Sequence, residues 1–89
     1  GIIAGNGLNL YPIRYIMSAT DELINFVKRR REQLGLTQQE LALRAGVGLR
    51  FVRDLEQGKQ SLRLDKVNQV LVLFGHKMGP IEIEDRDEL

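Results

Sequence analysis

The sequence contains no cysteine and a single histidine, His76. Without cysteine, disulfide scaffolds, thiolate zinc sites and cysteine nucleophiles are excluded. One histidine does not make a metal site by itself, so we expect neither a metal nor any other cofactor. Apolar runs are also short, since none approaches the ~20 residues that a membrane-spanning helix requires. These absences argue against a metalloprotein, a disulfide-stabilised protein and a membrane protein.

The first residues, 1–5, are apolar, but no basic region precedes them and no long apolar segment follows. They are therefore not predicted to form a signal peptide. We expect a cytoplasmic protein, associated with the nucleoid if it binds DNA. The 89 residues suffice for one small domain with a modest core. Dimerisation would add to the stability of such a domain.

The net charge of +1 indicates nothing about a nucleic-acid partner, but the distribution of charge is uneven. Residues 28–66 contain ten basic and five acidic side chains, whereas residues 77–89 contain two basic and five acidic ones. A basic body followed by an acidic tail favours a polyanionic partner for the body. An ordinary solvated surface explains the same counts, and charge alone leaves both interpretations open.

Residues 1–16 differ in composition from the rest of the chain. They are rich in glycine and asparagine, and Pro12 breaks any helix there. We predict an N-terminal extension, which is either an apolar arm or a stretch upstream of a natural start at Met17. Helical periodicity begins after this point and continues to residue 76, so we treat 17–76 as one domain.

Four helices are predicted from the spacing of apolar residues and from residues that start or stop helices. Thr37 is an N-cap with Glu40 three residues later, which is the pattern of a capping box. Glycines follow the helices, and glycine readily takes the left-handed conformation at which helices end. The helices are predicted at about 19–34, 38–45, 49–57 and 64–74. The buried stripe of the first helix is predicted at Leu23, Ile24, Val27 and Leu34. In the fourth helix, the apolar residues at helical spacing are Leu64, Val67, Val70, Leu71 and Phe74.

Residues 38–57 have the pattern of two short helices packed around one tight turn. Its apolar or small positions are Leu41, Ala42, Ala45, Val47, Val52 and Leu55. Gly46 is suited to end the first of these helices and reverse the chain. The second helix then turns a basic face outward, and a helix held in this way fits the major groove of DNA. The alternative is a helical hairpin within a small bundle that has no role in DNA binding.

The residues predicted to read DNA bases are Leu49, Arg50 and Arg53, on the outer face of the second of these helices. The two arginines lie three residues apart and so share a face. Arginine recognises guanine through two hydrogen bonds, and Leu49 is placed to contact a thymine methyl group. The predicted phosphate contacts are Thr37, Gln38, Gly48, Lys59, Ser61 and Arg63, which lie at helix N-termini or just past the recognition helix. For Gln38 and the two loop cations the alternative is a solvated side chain.

Arg31 and Glu56 carry opposite charges at the ends of the first and third predicted helices, and we predict that they form a partly buried structural ion pair.

The sequence contains no recognisable set of catalytic residues. His76 has no acidic neighbour, the serines have no local histidine, and no glycine-rich phosphate loop occurs. We therefore predict no enzymatic activity.

After Gly75 the periodicity changes. Apolar and acidic residues alternate from Ile81 to Glu84, which predicts one short strand over residues 78–83. A lone strand needs a partner, which is the N-terminal arm, a second copy of the chain or another protein. We predict pairing with a second copy across a two-fold axis, with dimerisation through Met78, Ile81 and Ile83. The remaining residues of 77–89 form an acidic tail.

The central part of the chain, about residues 23–75, resembles the Xre/Cro family of lambda-repressor-like DNA-binding domains. The most telling segments are GLTQQELA, AGVG and LEQGK. The resemblance implies that Gln38 contacts phosphate and orients the recognition helix, and that the three outer residues of that helix read bases. It also implies the interhelical ion pair described above. Gly48 and Leu49 replace commoner polar residues, which leaves the base preference open.

A longer run, LRLDKVNQVLVLFG followed by the strand-like segment, looks similar to the HipB-type antitoxins. Proteins of this group are dimeric autorepressors encoded beside a HipA-type serine/threonine kinase toxin. Their dimers are closed in part by a short C-terminal strand from each copy. The resemblance therefore implies a homodimer with two partners, a palindromic operator in double-stranded DNA and a kinase toxin.

Together these features predict an all-α protein with a lambda-repressor-like helix-turn-helix domain of four to five helices and a short C-terminal β-strand. The predicted function is a DNA-binding repressor that acts as antitoxin and autorepressor of a toxin–antitoxin operon. One alternative is a stand-alone repressor, such as a phage or restriction-modification controller. Another is a module that binds a toxin without binding DNA. An enzyme is the third alternative.

Overall fold

Four α-helices make up most of the part of the chain that the computed structural model describes, residues 19–83. They are α1 (Ala19–Gln33), α2 (Gln38–Ala45), α3 (Leu49–Glu56) and α4 (Leu64–Val72). The all-α helix-turn-helix fold is therefore confirmed. The predicted N-terminal extension, residues 1–16, and the acidic tail beyond Ile83 lie outside the described residues.

The capping box predicted at the start of α2 is confirmed. The Thr37 hydroxyl accepts a hydrogen bond from the Glu40 backbone N–H at 3.0 Å, and a Glu40 carboxylate oxygen accepts one from the Thr37 backbone N–H at 2.8 Å. The end of α2 is equally well defined, because Gly46 takes the left-handed conformation with φ +74°. Two local signals thus set both boundaries of α2.

The first helix ends one residue earlier than predicted, and the prediction that Leu34 is buried is wrong. Leu34 is 60% exposed. The chain leaves the helix after Gln33 and turns at Gly35, which has a φ of +67°, so Leu34 lies in the turn and points away from the core. Leu36, two residues later, packs against the core in its place.

The fourth helix is also shorter than predicted. It ends at Val72, and turns carry the chain on to Gly75. Phe74 is buried as predicted, although it lies in these turns. Leu64 has the same helical spacing as the buried residues of α4, but its side chain is 57% exposed because it is the first residue of the helix.

One hydrophobic core is shared by all four helices. Its buried members are Val27, Leu41, Ala42, Val52, Leu55, Val67, Val70, Leu71 and Phe74. Ala45 and Val47, predicted to line the turn between α2 and α3, are partly buried against this core. The six apolar or small positions of the helix-turn-helix pattern therefore face inward together. Only the inner face of α3, the predicted recognition helix, packs against this core.

The segment after α4 is tied to the domain without forming a strand. The Met78 backbone N–H donates a hydrogen bond to the Asn68 side-chain oxygen at 2.8 Å, and Met78 packs against the core. Residues 78–83 have no strand partner among residues 19–83. Ile81 and Ile83 are 71% and 65% exposed. The strand and its pairing with a second copy remain predictions.

Candidate nucleic-acid interface

The position of α3 depends on the tight turn that precedes it. The backbone N–H of Gly46 donates to the carbonyl groups at the end of α2, and that of Val47 donates to the Ala42 carbonyl at 3.0 Å. The Gln69 side-chain amide, on α4, lies 3.3 Å from the carbonyl oxygens of both Ala45 and Gly46. Because the turn is fixed to α2 and also to α4, the direction of α3 is fixed as well.

The two faces of α3 differ sharply in polarity. Val52 and Leu55 are each 1% exposed on the inner face. On the outer face Arg50 and Arg53 are exposed, and Leu49 is half-buried. The structure thus brings the three predicted base-reading residues together on one side of one helix. Exposed guanidinium groups on a helix of this kind have the donor geometry that reads guanine in the major groove.

The N-terminus of α3 is open. Gly48 is its N-cap and supplies no side-chain hydrogen bond to the first turn. Nothing lies within 4 Å of the place where a Cβ atom of residue 48 would stand. Backbone N–H groups of a first turn that lack an internal partner are suited to bind an anion such as a phosphate.

The Gln38 side chain is bonded to the end of the recognition helix. Its side-chain amide donates to Glu56 at 3.0 Å. Glu56 also accepts two hydrogen bonds from Arg31, at 2.7 and 3.0 Å. Gln38 therefore joins the start of α2 to the end of α3. This link fits the orienting role that the resemblance implies for Gln38, although its specific partner, Glu56, was not predicted. The phosphate contact of Gln38 remains a prediction.

The Arg31–Glu56 ion pair is partly buried, with the carboxylate almost fully enclosed. The Glu56 side chain is 2% exposed and that of Arg31 is 16% exposed. Arg31 also donates to the Leu36 carbonyl at 2.9 Å. The pKa of Arg31 is raised above its usual value, chiefly by its hydrogen bonding with Glu56, so the guanidinium remains charged. These contacts hold α1, α2 and α3 together behind the outer face of α3.

The loop after α3 places further cations beside the same helix. Gly58 ends α3 with a φ of +86°, and a Cβ atom there would come within 3.2 Å of Ile24. Lys59 and Ser61 follow and are exposed. The positive φ therefore favours glycine at residue 58, where the loop passes close to the Ile24 side chain of α1.

Arg63, which was predicted to contact phosphate, is hydrogen-bonded to an acidic side chain of its own chain. Its guanidinium donates to the two carboxylate oxygens of Asp65 at 3.2 and 2.7 Å. Hydrogen bonding from Arg63 lowers the pKa of Asp65 below its usual value. Both side chains are largely exposed. A phosphate at this position would have to share Arg63 with Asp65.

Asp54 is a second acidic residue that sequence reasoning did not single out. Its carboxylate lies 3.4 Å from the Nε atom of Arg50 and 3.6 Å from the Nζ atom of Lys59. The four-residue spacing of Arg50 and Asp54 on a helix was a signal that would have indicated the first contact. The second contact depends on how the loop turns back after Gly58.

Similarity to known proteins agrees with this geometry. The HTH_3 helix-turn-helix family model matches residues 27–77, more than half of the chain. The chain belongs to this helix-turn-helix family. The matched region begins within α1 and includes α2, the turn, α3 and α4.

A relative from Sinorhizobium fredii, an uncharacterized HTH-type transcriptional regulator, is 53% identical over 45 residues. The match covers 51% of this chain and 59% of the relative. None of the helices within residues 19–83 is long and apolar enough to cross a membrane.

Proposed function

We propose that this protein is a sequence-specific transcriptional repressor that binds double-stranded operator DNA as a homodimer. The observation that carries the proposal is the outer face of α3, where Arg50 and Arg53 are exposed while Val52 and Leu55 anchor the helix in the core. A rigid helix with exposed guanidinium groups is suited to read bases, and the cations of the following loop are placed to add contacts to phosphate.

The homodimer is supported by apolar surface at the C-terminal end of the described residues. Val72, Leu73, Ile81 and Ile83 are all exposed there. A groove of about 740 Å³ also lies between α1 and residues 76–81, and its mixed lining of apolar and charged side chains includes Phe26 and Met78. Exposed apolar surface of this kind is typical of an interface. A two-fold dimer binds half-sites one helical turn apart, roughly 34 Å, and therefore a palindromic operator.

The narrower part of the proposal is that the repressor is the antitoxin of a toxin–antitoxin operon and binds a HipA-type kinase toxin. It is supported by the resemblance of residues 62–75 to HipB-type antitoxins and by the exposed isoleucines that follow. A stand-alone repressor has the same DNA-binding face, so only a protein partner separates the two functions.

DNA recognition is tested by selecting bound duplexes from a random pool and comparing variants on the selected sequence. Arg50→Ala should weaken binding to that sequence by about 1–3 kcal/mol while leaving scrambled DNA almost unaffected. Lys59→Ala should weaken both to a similar extent and reduce the salt dependence by about one counterion. Lys28→Ala removes one positive charge from α1 and should change neither the affinities for the two duplexes nor the salt dependence. A wild-type protein that selects no sequence would refute the proposal.

The antitoxin role is tested by expressing the protein together with the gene adjacent to its own. We expect a larger kinase to co-purify with it, and we expect that kinase to be toxic when expressed alone. If the neighbouring product is neither toxic nor retained, the antitoxin role is wrong and the repressor role stands on the DNA measurements.

A further inference from the structure

Asp54 is the one carboxylate of α3 that lies beside its DNA-facing side chains. The other acidic residue of the helix, Glu56, is buried and bonded to Arg31 and Gln38. The Asp54 side chain is 21% exposed. A negative charge at a surface that approaches phosphates opposes binding through like-charge repulsion, unless nearby cations offset it.

Each oxygen of Asp54 faces a different cation. Oδ1 lies 3.4 Å from the Nε atom of Arg50, and Oδ2 lies 3.6 Å from the Nζ atom of Lys59. The backbone carbonyl of Asp54 also accepts a hydrogen bond from the Lys59 backbone N–H at 3.0 Å. Asp54 therefore contacts one residue predicted to read a base and one predicted to bind a phosphate.

The contact to Arg50 restricts how its guanidinium can be used. Arginine has five N–H donors, of which one is on Nε and four are on the two terminal nitrogens. The ionic contact that the structure shows involves Nε, so the N–H groups of the two terminal nitrogens remain available to other acceptors. Those two groups match the O6 and N7 acceptors on the major-groove edge of guanine. The Arg50 side chain is itself 87% exposed, so little else in the described part of the chain restrains it.

We propose that Asp54 is a specificity-determining residue that orients Arg50 for end-on recognition of a guanine and links it to the phosphate contact of Lys59. The proposal rests on the DNA-binding function proposed above. Asp54 acts through Arg50 and contacts no base itself. Its removal should release the arginine to bind phosphates or other bases, so discrimination falls while general affinity for DNA rises.

The experiment compares Asp54→Asn with Asp65→Asn on the selected operator and on a scrambled duplex at one salt concentration. Both changes remove one negative charge near a basic surface, but Asp65 pairs with Arg63 and has no contact with Arg50. For Asp54→Asn we expect the ratio of operator to scrambled affinity to fall at least about fivefold, the lower end for one arginine–guanine contact. For Asp65→Asn the ratio should stay unchanged while both affinities rise. Thermal melting of each variant checks that the fold is retained.

A double-mutant cycle with Arg50→Ala separates orientation from simple charge removal. If Asp54 acts through Arg50, adding Asp54→Asn to Arg50→Ala should cause no further loss of discrimination. Equal shifts on both duplexes for Asp54→Asn, or a full additional loss in the double variant, would overturn this role of Asp54 while leaving the repressor function standing. A wild-type protein without sequence preference would overturn both proposals.

Discussion

Glu56 shows how a single charged residue organises this small domain. Its carboxylate is nearly inaccessible to water, yet it accepts hydrogen bonds from Arg31 and from Gln38. Burying a carboxylate is costly, and the cost is offset only when charged and polar donors surround it. The network links three helices at one point, so any change to it should affect the position of α3 as well as stability.

Removing one partner of the buried pair should be strongly destabilising. Arg31→Ala leaves the Glu56 carboxylate enclosed with only the Gln38 amide, and we expect a loss of about 3–5 kcal/mol of unfolding free energy. Urea denaturation followed by circular dichroism measures this loss. The double variant Arg31→Met, Glu56→Leu should recover most of the stability, because it removes the uncompensated charge.

An exposed ion pair provides the control for this measurement. Arg63→Ala breaks a pair in which both side chains are largely solvated, and it should leave the urea midpoint almost unchanged. If Arg31→Ala and Arg63→Ala had equal effects, the buried network would not have the structural role that its geometry indicates.

The turn between α2 and α3 determines how the recognition helix is presented. Gly46 has a φ of +74°, a conformation that costs a residue with a Cβ atom about 1–2 kcal/mol. Gln69 anchors the same turn to α4. The angle between the two helices thus depends on one left-handed residue and one side chain from outside the motif.

Gly46→Ala should therefore destabilise the domain by about 1–2 kcal/mol, through strain in the backbone. Chemical denaturation gives the magnitude. The matched control is Gly48→Ser, two residues away, where φ is −77° and no atom occupies the space a Cβ would take. Serine there supplies the missing N-cap, so stability should stay equal or rise by a few tenths of a kcal/mol. An equal loss in both variants would contradict the role assigned to the left-handed conformation.

For the whole molecule, the proposed dimer depends on apolar surface that the described part of one chain leaves uncovered. The exposed isoleucines lie at one end of that part, in a segment tied to α4 through Met78 and Asn68. A domain of this size gains stability from association. Two copies also make twice the contacts to a palindromic operator, which increases affinity and specificity together.

Introducing charge into the C-terminal segment should therefore dissociate the dimer. For Ile81→Asp and Ile83→Asp we expect sedimentation equilibrium to show a shift from dimer to monomer. The affinity for the two-half-site operator should fall toward the affinity for a single half-site. Leu34→Asp changes an equally exposed leucine in the α1–α2 turn and should leave the oligomeric state unaltered. A wild-type protein that is monomeric at micromolar concentration and on DNA would exclude the homodimer.

Much of the fold follows from signals that lie close together in the sequence. The capping box at Thr37 and Glu40, the left-handed Gly46 and the spacing of apolar residues determined the four helices to within two residues at each end. The inward and outward faces of α3 were also predictable, because a helix repeats every 3.6 residues whatever surrounds it. These features depend on neighbours within about one helical turn.

Other features were decided only by the tertiary structure. Whether Leu34 is buried depends on where the chain turns after α1, and the partner of Gln38 depends on how α2 lies against α3. The placement of Asp54 between Arg50 and Lys59 likewise requires the loop to fold back after the helix. Local sequence determines which backbone conformation is favoured, whereas side-chain contacts between distant residues form only when the shared core brings the helices together.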